Sequence, residues 1–317
     1  MNISEKGKGY SLVALAGIMW GTGFLYIQFV LNGGLSPQEI VSWKMLIGFI
    51  FMLLYTIQWN PKALKIDKRG LFLIGILGLV CHTFYNLFMN LSVERTTIAT
   101  TVALLHTAPF FVLLISRVLF NEKFTILKVI SVTIAVSGVY LTVTGGRLDQ
   151  LAYDGVGILF GLGAGFAYGV MNLFSKYLVT RYQQQTILTY AFGFAFLFSL
   201  TFSDPIAAFR LDFDPWLWVN LILLGLVPTA LSYAFFTAGL SYNIESSKAA
   251  VVATIEVPVS VLGSFLIFSE ELNFMKLLGI AMVLFSVFLL RREMKNTAKI
   301  ADRGKEQLES FSADRTD

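Results

Sequence analysis

A glutamate, Glu256, stands in the middle of an apolar run over 246–268, and a histidine, His106, holds a similar place in the run over 96–118. Each precedes a proline: Pro109 follows His106 by three residues and Pro258 follows Glu256 by two. Proline leaves the carbonyl one turn back without its helical partner, so both runs can kink and offer backbone acceptors at mid-run. An imidazole and a carboxylate in such places can hold and pass a proton, and the carboxylate can equally face a solute amine. The plainer alternative is a structural acid and a neutral histidine, each bonded to a neighbouring helix. His82 lies on a stripe with Gly75, Gly78, Asn86 and Asn90, and Tyr85 is on its edge. Trp20 with Phe24 and Gln28, Tyr168 and Asn172 with Gly161 and Gly165, and Thr229, Ser232, Tyr233 and Phe236 with Gly225 supply further polar or aromatic stripes. Small residues at this spacing serve helix contacts as well as cavities. As a set these residues would wall a cavity for a small amphipathic solute with a few hydrogen-bonding groups. Lys44 either snorkels to the membrane surface or meets Glu256 or a substrate carboxylate.

The elements that hold these groups follow from composition. Of 317 residues, 56% are apolar and only 14% charged, against about 25% charged in soluble domains. Too little polar surface is left to coat a globule in water, which excludes a soluble enzyme, a nucleic-acid binder and a disordered scaffold. One cysteine, Cys81, allows no internal disulfide, and two histidines leave no metal site to expect. Spanning the ~30 Å hydrocarbon layer takes roughly 20 apolar residues in a helix. Ten runs qualify: 10–31, 36–57, 70–91, 96–118, 124–144, 155–178, 186–203, 215–239, 246–268 and 274–290. Their apolar character is continuous rather than alternating, so they read as helices and not barrel strands. The predicted fold is all-α, a polytopic membrane protein. Residues 292–317 read as a charged cytoplasmic tail.

Basic residues set the orientation. With the N-terminus in the cytoplasm, nineteen Lys and Arg lie inside and four outside (Arg95, Arg147, Arg210 and Lys276). Both termini are therefore expected in the cytoplasm, and the protein in the cell membrane. The basic pI of about 9.0 reflects topology rather than affinity for nucleic acid. Lys176 and Lys248 fall near cytoplasmic span ends, as surface anchors would, while Glu122 and Glu271 fall just past spans and suit loop capping. Trp59, Trp216 and Trp218 fit interfacial belts.

The chain also repeats itself. Shifts of 147 to 149 residues place Leu77-Gly78-Leu79-Val80 on Leu224-Gly225-Leu226-Val227, Trp20-Gly21 on Tyr168-Gly169, Pro109 on Pro258 and Glu122 on Glu271. Residues 10–144 (spans 1–5) and 155–291 (spans 6–10) are thus two copies of one unit. Because five is odd, the copies cross the membrane in opposite senses. Inverted repeats of this kind build secondary transporters, with substrate bound near the midplane between the copies.

Trp20-Gly21, Lys44, the Pro109…Glu122 and Pro258…Glu271 spacings, and Ser246-Ser247-Lys248-Ala249-Ala250 through Glu256 resemble the EamA-type members of the drug/metabolite transporter superfamily. The resemblance spans about 10–291. It implies ten spans, inward termini, a central cavity lined mainly by spans 1, 3, 4, 6, 8 and 9, and frequently outward transport of small metabolites such as amino acids or amphipathic compounds. Lys44, Gly23 and Val257 depart from the family pattern, which often has Arg, Asn and adjacent Glu and Pro there.

Motifs of enzymes are missing from the sequence. Gly161-Leu162-Gly163-Ala164-Gly165 looks like part of a dinucleotide loop but follows no strand. No nucleotide-binding domain is present, so uphill movement would draw on proton coupling or exchange, and no cofactor is expected. The expected function is a secondary exporter of a small-molecule solute with the lipid bilayer as its environment. The alternatives are an integral-membrane transferase using a lipid-linked substrate and a channel, although no carboxylate cluster, large loop or continuous polar pore marks either. The expected site residues are Trp20, His82, Tyr85, Asn86, His106, Tyr168, Asn172, Tyr233 and Glu256, with coupling at Glu256 and His106. A monomer already holds both opposed units, and a dimer stays open.

Overall fold

The computed structural model describes residues 3–96, 98–122, 125–147, 154–211, 214–269 and 272–289. Every regular element among them is helical. Residues 292–317 and Glu271 lie outside the described residues. Besides short 3-10 helices at Pro61–Leu64 and Pro205–Arg210, ten longer helical segments follow in order among the described residues. They are α1 (Ile3–Asn32), α2 (Pro37–Trp59), α3 (Lys68–Ile76, Leu77–Phe84 and Tyr85–Arg95 without interruption) and α4 (Ile98–Leu105 then Ala108–Phe120). Next come α5 (Ile126–Thr144), α6 (Gly155–Leu178), α7 (Gln184–Ser199) and α8 (Pro215–Gly225, Leu226–Leu231 and Ser232–Ser241). The last two are α9 (Ser246–Ala253 then Glu256–Phe268) and α10 (Phe274–Leu289).

Helix ends sit where side chains satisfy the backbone. Ser36 and Glu39 form a reciprocal capping box with Pro37 in the first turn of α2. Asp154 accepts from the N–H groups of Val156 and Gly157 at the start of α6, and Asp214 caps α8 ahead of Pro215. α5 ends at Gly145, whose φ of +62° suits a residue without Cβ. α4 and α9 end alike, on left-handed Asn121 and Ser269. α1 starts seven residues before the apolar run at Tyr10, because Glu5, Lys6 and Lys8 are compatible with helix and nothing breaks it.

Eight of these helices are long and apolar enough to cross a membrane on their own. α7 and α10 have 16 residues each, or about 24 Å of rise. α7 stops at Ser199 rather than 203, where the Ser199 and Ser203 hydroxyls both meet that of Ser42 on α2. The outer surface bears exposed Leu54, Phe72, Leu119, Leu159, Leu266 and Phe274, a distribution that suits lipid and not water. This is an all-α, multi-pass membrane protein.

Packing follows a two-fold plan. α1 lies against α8 and α9, while α6 lies against α3 and α4; α2 meets its counterpart α7, and α4 meets α9. Irregularities recur at the same register. The middle of α3 and the middle of α8 each widen into π-helix. In each, a threonine hydroxyl reaches the carbonyl five residues back, Thr83 to Gly78 (3.1 Å) and Thr229 to Leu224 (2.9 Å).

Candidate functional site

α4 breaks at His106 and Thr107, and α9 at Thr254 and Ile255, each just before its proline. Tight turns bridge the gaps, with the Thr107 N–H on Leu104 O and the Thr254 N–H on Val251 O, both at 3.1 Å. Another helix crosses close at each break. A Cβ on Gly21 of α1 would lie 2.6 Å from the carbonyl oxygen of Glu256, and one on Gly165 of α6 would lie 2.8 Å from that of Leu104. Only glycine lets the backbones come so near.

His106 and Glu256 meet across this junction. His106 Nε2 is 2.8 Å from Glu256 Oε1, and the side chains are 2% and 9% exposed. His106 Nδ1 is 2.9 Å from Val102 O. A carbonyl oxygen only accepts, so Nδ1 carries a hydrogen. One further proton then lies between Nε2 and the carboxyl. Whether written as neutral acid and imidazole or as carboxylate and imidazolium, the pair is uncharged overall, and that proton belongs to both residues. Its removal would set a lone pair against a carboxylate.

Glu256 also faces a cavity of about 90 Å³ walled by α1, α2, α3, α6, α8 and α9, with Leu105 of α4 at its edge. Its aromatic wall comes in two pairs related by the 148-residue shift, Trp20 with Tyr168 and Tyr85 with Tyr233. Trp20 meets Tyr168 and Tyr233 edge-on, with ring centres 6.3 Å and 5.1 Å apart, and Tyr85 stacks on Tyr168 at 5.8 Å. Edge and offset contacts of this kind hold rings at fixed angles. Ile27, Lys44, Met89 and Leu224 carry the cavity toward the bundle end where α1 and α3 finish and α2 and α8 begin.

The opposite end is plugged. Tyr10, Val13, Leu240, Ile244, Ala249 and Val252 pack there in one buried cluster. Beside it, Glu122 accepts from the Ser246 N–H (2.7 Å), the Ser247 hydroxyl (2.6 Å) and Lys176 Nζ (3.0 Å). Lys128 pairs with Glu245 and lies 4.0 Å from Glu122, and Lys248 pairs with Glu245 at 2.9 Å. Both halves of the chain contribute to this network. Burial alone would raise the Glu122 carboxyl, but the Ser247 hydroxyl, the Lys176 ammonium and the Ser246 N–H outweigh it and hold the group below its ordinary value. Glu245 is likewise held low, against burial, by Lys128 and Lys248.

Of the residues expected at the site, Trp20, Tyr85, Tyr168, Tyr233 and Glu256 line the cavity. His106 stands behind Glu256. His82 stands behind Tyr233, ring centres 5.0 Å apart, with its Nδ1 lacking a hydrogen-bond partner. Asn86 is buried and joins the wall through Lys44, whose Nζ donates to Asn86 Oδ1 at 3.2 Å. Asn172 is buried away from the cavity lining, with neither amide atom bonded. Lys176 and Lys248, expected at the membrane surface, are instead buried and ion-paired, because Glu122 and Glu245 fold back over them. Glu122 does cap, but it caps the start of α9 rather than its own loop. The expected list omits Lys44, Met89 and Leu224; the alternative of a cavity-facing Lys44 carried the only hint.

Comparison with known proteins agrees with this architecture. The EamA-like transporter family matches residues 7–144 and again 155–292. An uncharacterized transporter of Archaeoglobus fulgidus is 26% identical over 289 residues, covering 90% of this chain and 97% of that protein. The uncharacterized transporter YdfC of Bacillus subtilis is 25% identical, covering 82% of this chain and 83% of its own. A chloroplastic phosphoenolpyruvate/phosphate translocator of rice is 26% identical over 57% of this chain and 45% of its own length. One solved crystal structure superposes with a TM-score of 0.76 at 13% identity, over 92% of this chain and 99% of that one, a likeness of fold.

Proposed function

The chain belongs to the EamA-like transporter family, and from that premise we propose that it is a secondary carrier exporting small amphipathic solutes, amino acids among them, across the cell membrane. The observation that carries this reading is the His106–Glu256 pair. One residue from each half of the chain meets the other at the broken middles of α4 and α9, and the carboxyl borders a cavity closed at one end. A site between opposed repeats that is open to one side is what alternating access requires.

Units 10–144 and 155–291 exchange conformations in this mechanism, and a single chain suffices. With both termini in the cytoplasm, as the excess of basic residues indicates, the cavity faces outward and the Glu122–Lys176 network closes the inner side. The shared proton supplies the coupling. A cationic solute group arriving at Glu256 replaces the proton's charge, and a proton returning from outside restores the neutral pair and releases the solute. The outcome is one cation exchanged for another, in the direction set by the proton gradient. Trp20, Tyr85, Tyr168 and Tyr233 shelter the apolar part of the solute. His82 and Asn86 support that wall, and Asn172 lies in the adjoining helix contact.

The test is flux into liposomes holding the purified protein, using a panel of labelled amino acids with and without an imposed pH gradient. Saturable counterflow that the gradient accelerates is the expected result. Linear, non-saturable flux for every solute would overturn the carrier reading.

A further inference from the structure

Lys44 raises a question that the proton pair does not answer. It sits seven residues into α2, about 10 Å along the helix from the bundle end toward which the cavity runs. A charge at that depth normally has a partner of opposite sign. The buried lysines elsewhere show the rule, since Lys128, Lys176 and Lys248 each meet Glu122 or Glu245. Lys44 meets only the amide oxygen of Asn86, at 3.2 Å, and among the described residues no carboxylate lies within ion-pair distance of it. Glu256, the acid that shares its cavity, is engaged by His106. An ammonium has three donors and no acceptor, so at least two donors of Lys44 remain for something else.

The neighbouring wall has the same bias. The Trp20 indole N–H, which can only donate, is buried without a hydrogen-bond partner. Asn86 is fixed as an acceptor toward Lys44 because its amide nitrogen is already given to the His82 carbonyl. Register adds a further point. The 148-residue shift places Lys44 on Phe192, a fully buried apolar residue, so the cation has no counterpart in the second half and is not part of the duplicated scaffold.

We propose that Lys44, oriented by Asn86, is the binding site for an acidic group of the transported solute, and that this carrier selects solutes bearing a carboxylate. This rests on the carrier reading above and narrows it. The acidic group sits toward the open end at Lys44, and the remainder of the solute reaches inward along the aromatic wall to Glu256. Glu256 lies twelve residues from the end of α9, about 18 Å from the same face. The two charged groups are thus offset by about 8 Å along the bundle, which lets one solute address both.

The experiment uses the full chain in liposomes. L-Phenylalanine, L-threonine and L-lysine are each measured in counterflow beside their methyl esters, which keep the amine and side chain but lose the carboxylate. O-Phospho-L-serine tests whether a phosphate serves as well. Wild type is expected to favour free acids over esters by roughly tenfold or more, the scale of a charge-assisted hydrogen bond. Lys44→Met should abolish that preference while still moving the esters, and Lys44→Arg should restore it. Continued ester flux in Lys44→Met shows an intact carrier, which separates lost recognition from lost folding. Equal handling of acids and esters by wild type, or an unchanged preference in Lys44→Met, would overturn the proposal. Absence of saturable flux for all probes in wild type would remove the carrier reading and this one with it.

Discussion

A single proton between His106 Nε2 and Glu256 Oε1 decides the charge of the most deeply placed acid in the cavity. Glutamine at 256 keeps the size of the side chain and can still bond the imidazole, but has no proton to release. Glu256→Gln should therefore bind a cationic solute more weakly, and whatever counterflow remains should show no acceleration by an imposed pH gradient. Counterflow measured with and without the gradient checks this, and retained acceleration would remove Glu256 from coupling. At the network, the sign is different in kind. Glu122 and Glu245 are held below their ordinary values, so their contribution to stability is complete above the unfolded carboxylate range near pH 4.3. It is lost as pH falls through the lower folded values. Melting followed in detergent should drop more steeply on acidification in wild type than in Glu122→Gln, which at pH 7 should cost about 2 kcal/mol. The contact of His106 with Glu256 comes from the meeting of α4 with α9, whereas their mid-helix placement is legible in the sequence, since each precedes a proline inside an apolar run. The burial of Lys176 and Lys248 is not, because an isolated lysine near a span end has its lowest-cost position at the membrane surface. The return of Glu122 onto α9 and the pairing of Glu245 with Lys248 reverse that preference.

The helices carry the same lesson in their breaks and crossings. Pro109 and Pro258 announce kinks in α4 and α9, and the structure breaks both within four residues upstream. The π-helical stretch of α8 holds Pro228, which frees the Leu224 carbonyl that the Thr229 hydroxyl meets, whereas that of α3 has no proline. In α3 the Thr83 hydroxyl can reach either a normal or a widened turn, and sequence does not choose between them. Close crossings are legible as glycine but their partners are not. α5 and α10 touch through Gly138 and Gly279: a Cβ on Gly279 would lie 2.4 Å from the Thr142 nitrogen, and one on Gly138 would lie 2.9 Å from the Gly279 oxygen. Both obstacles are backbone and cannot rotate away. Gly279→Ala must then force the helices apart, costing roughly 1–3 kcal/mol and lowering the detergent melting temperature. Gly155→Ala, where nothing lies within 4 Å, should leave it unchanged. The contrast between the two measurements separates packing from any general effect of alanine.

Duplication gives the whole molecule two similar halves, yet among the described residues the buried charge network stands at one end. The plugged end holds Glu122, Glu245, Lys128, Lys176 and Lys248 in one network. The 148-residue shift puts Gln28, Lys276 and Thr100 in the places of Lys176, Lys128 and Lys248. If the two halves exchange conformations as proposed, that exchange would be balanced were the ends alike, and this network would tilt it toward closure of its own end. The tilt is a population effect. Each 1.4 kcal/mol taken from one state changes the ratio about tenfold, and losing one charge-assisted bond removes roughly that or more. Glu122→Gln combined with Glu245→Gln should therefore raise the inward-open fraction by about tenfold or more. In a Cys81→Ala background, a cysteine at Ala249, fully buried in the plug, reports on that state through its rate of labelling by a membrane-impermeant maleimide from the N-terminal side. Labelling should be slow with the network intact and faster by a similar factor without it, whereas a cysteine at Ile27 on the cavity side should label more slowly in the double variant. Opposite movement of the two rates is the mark of exchange between facing states. If both rates rise together, the network only holds the fold, and the bias of this carrier lies elsewhere in the chain.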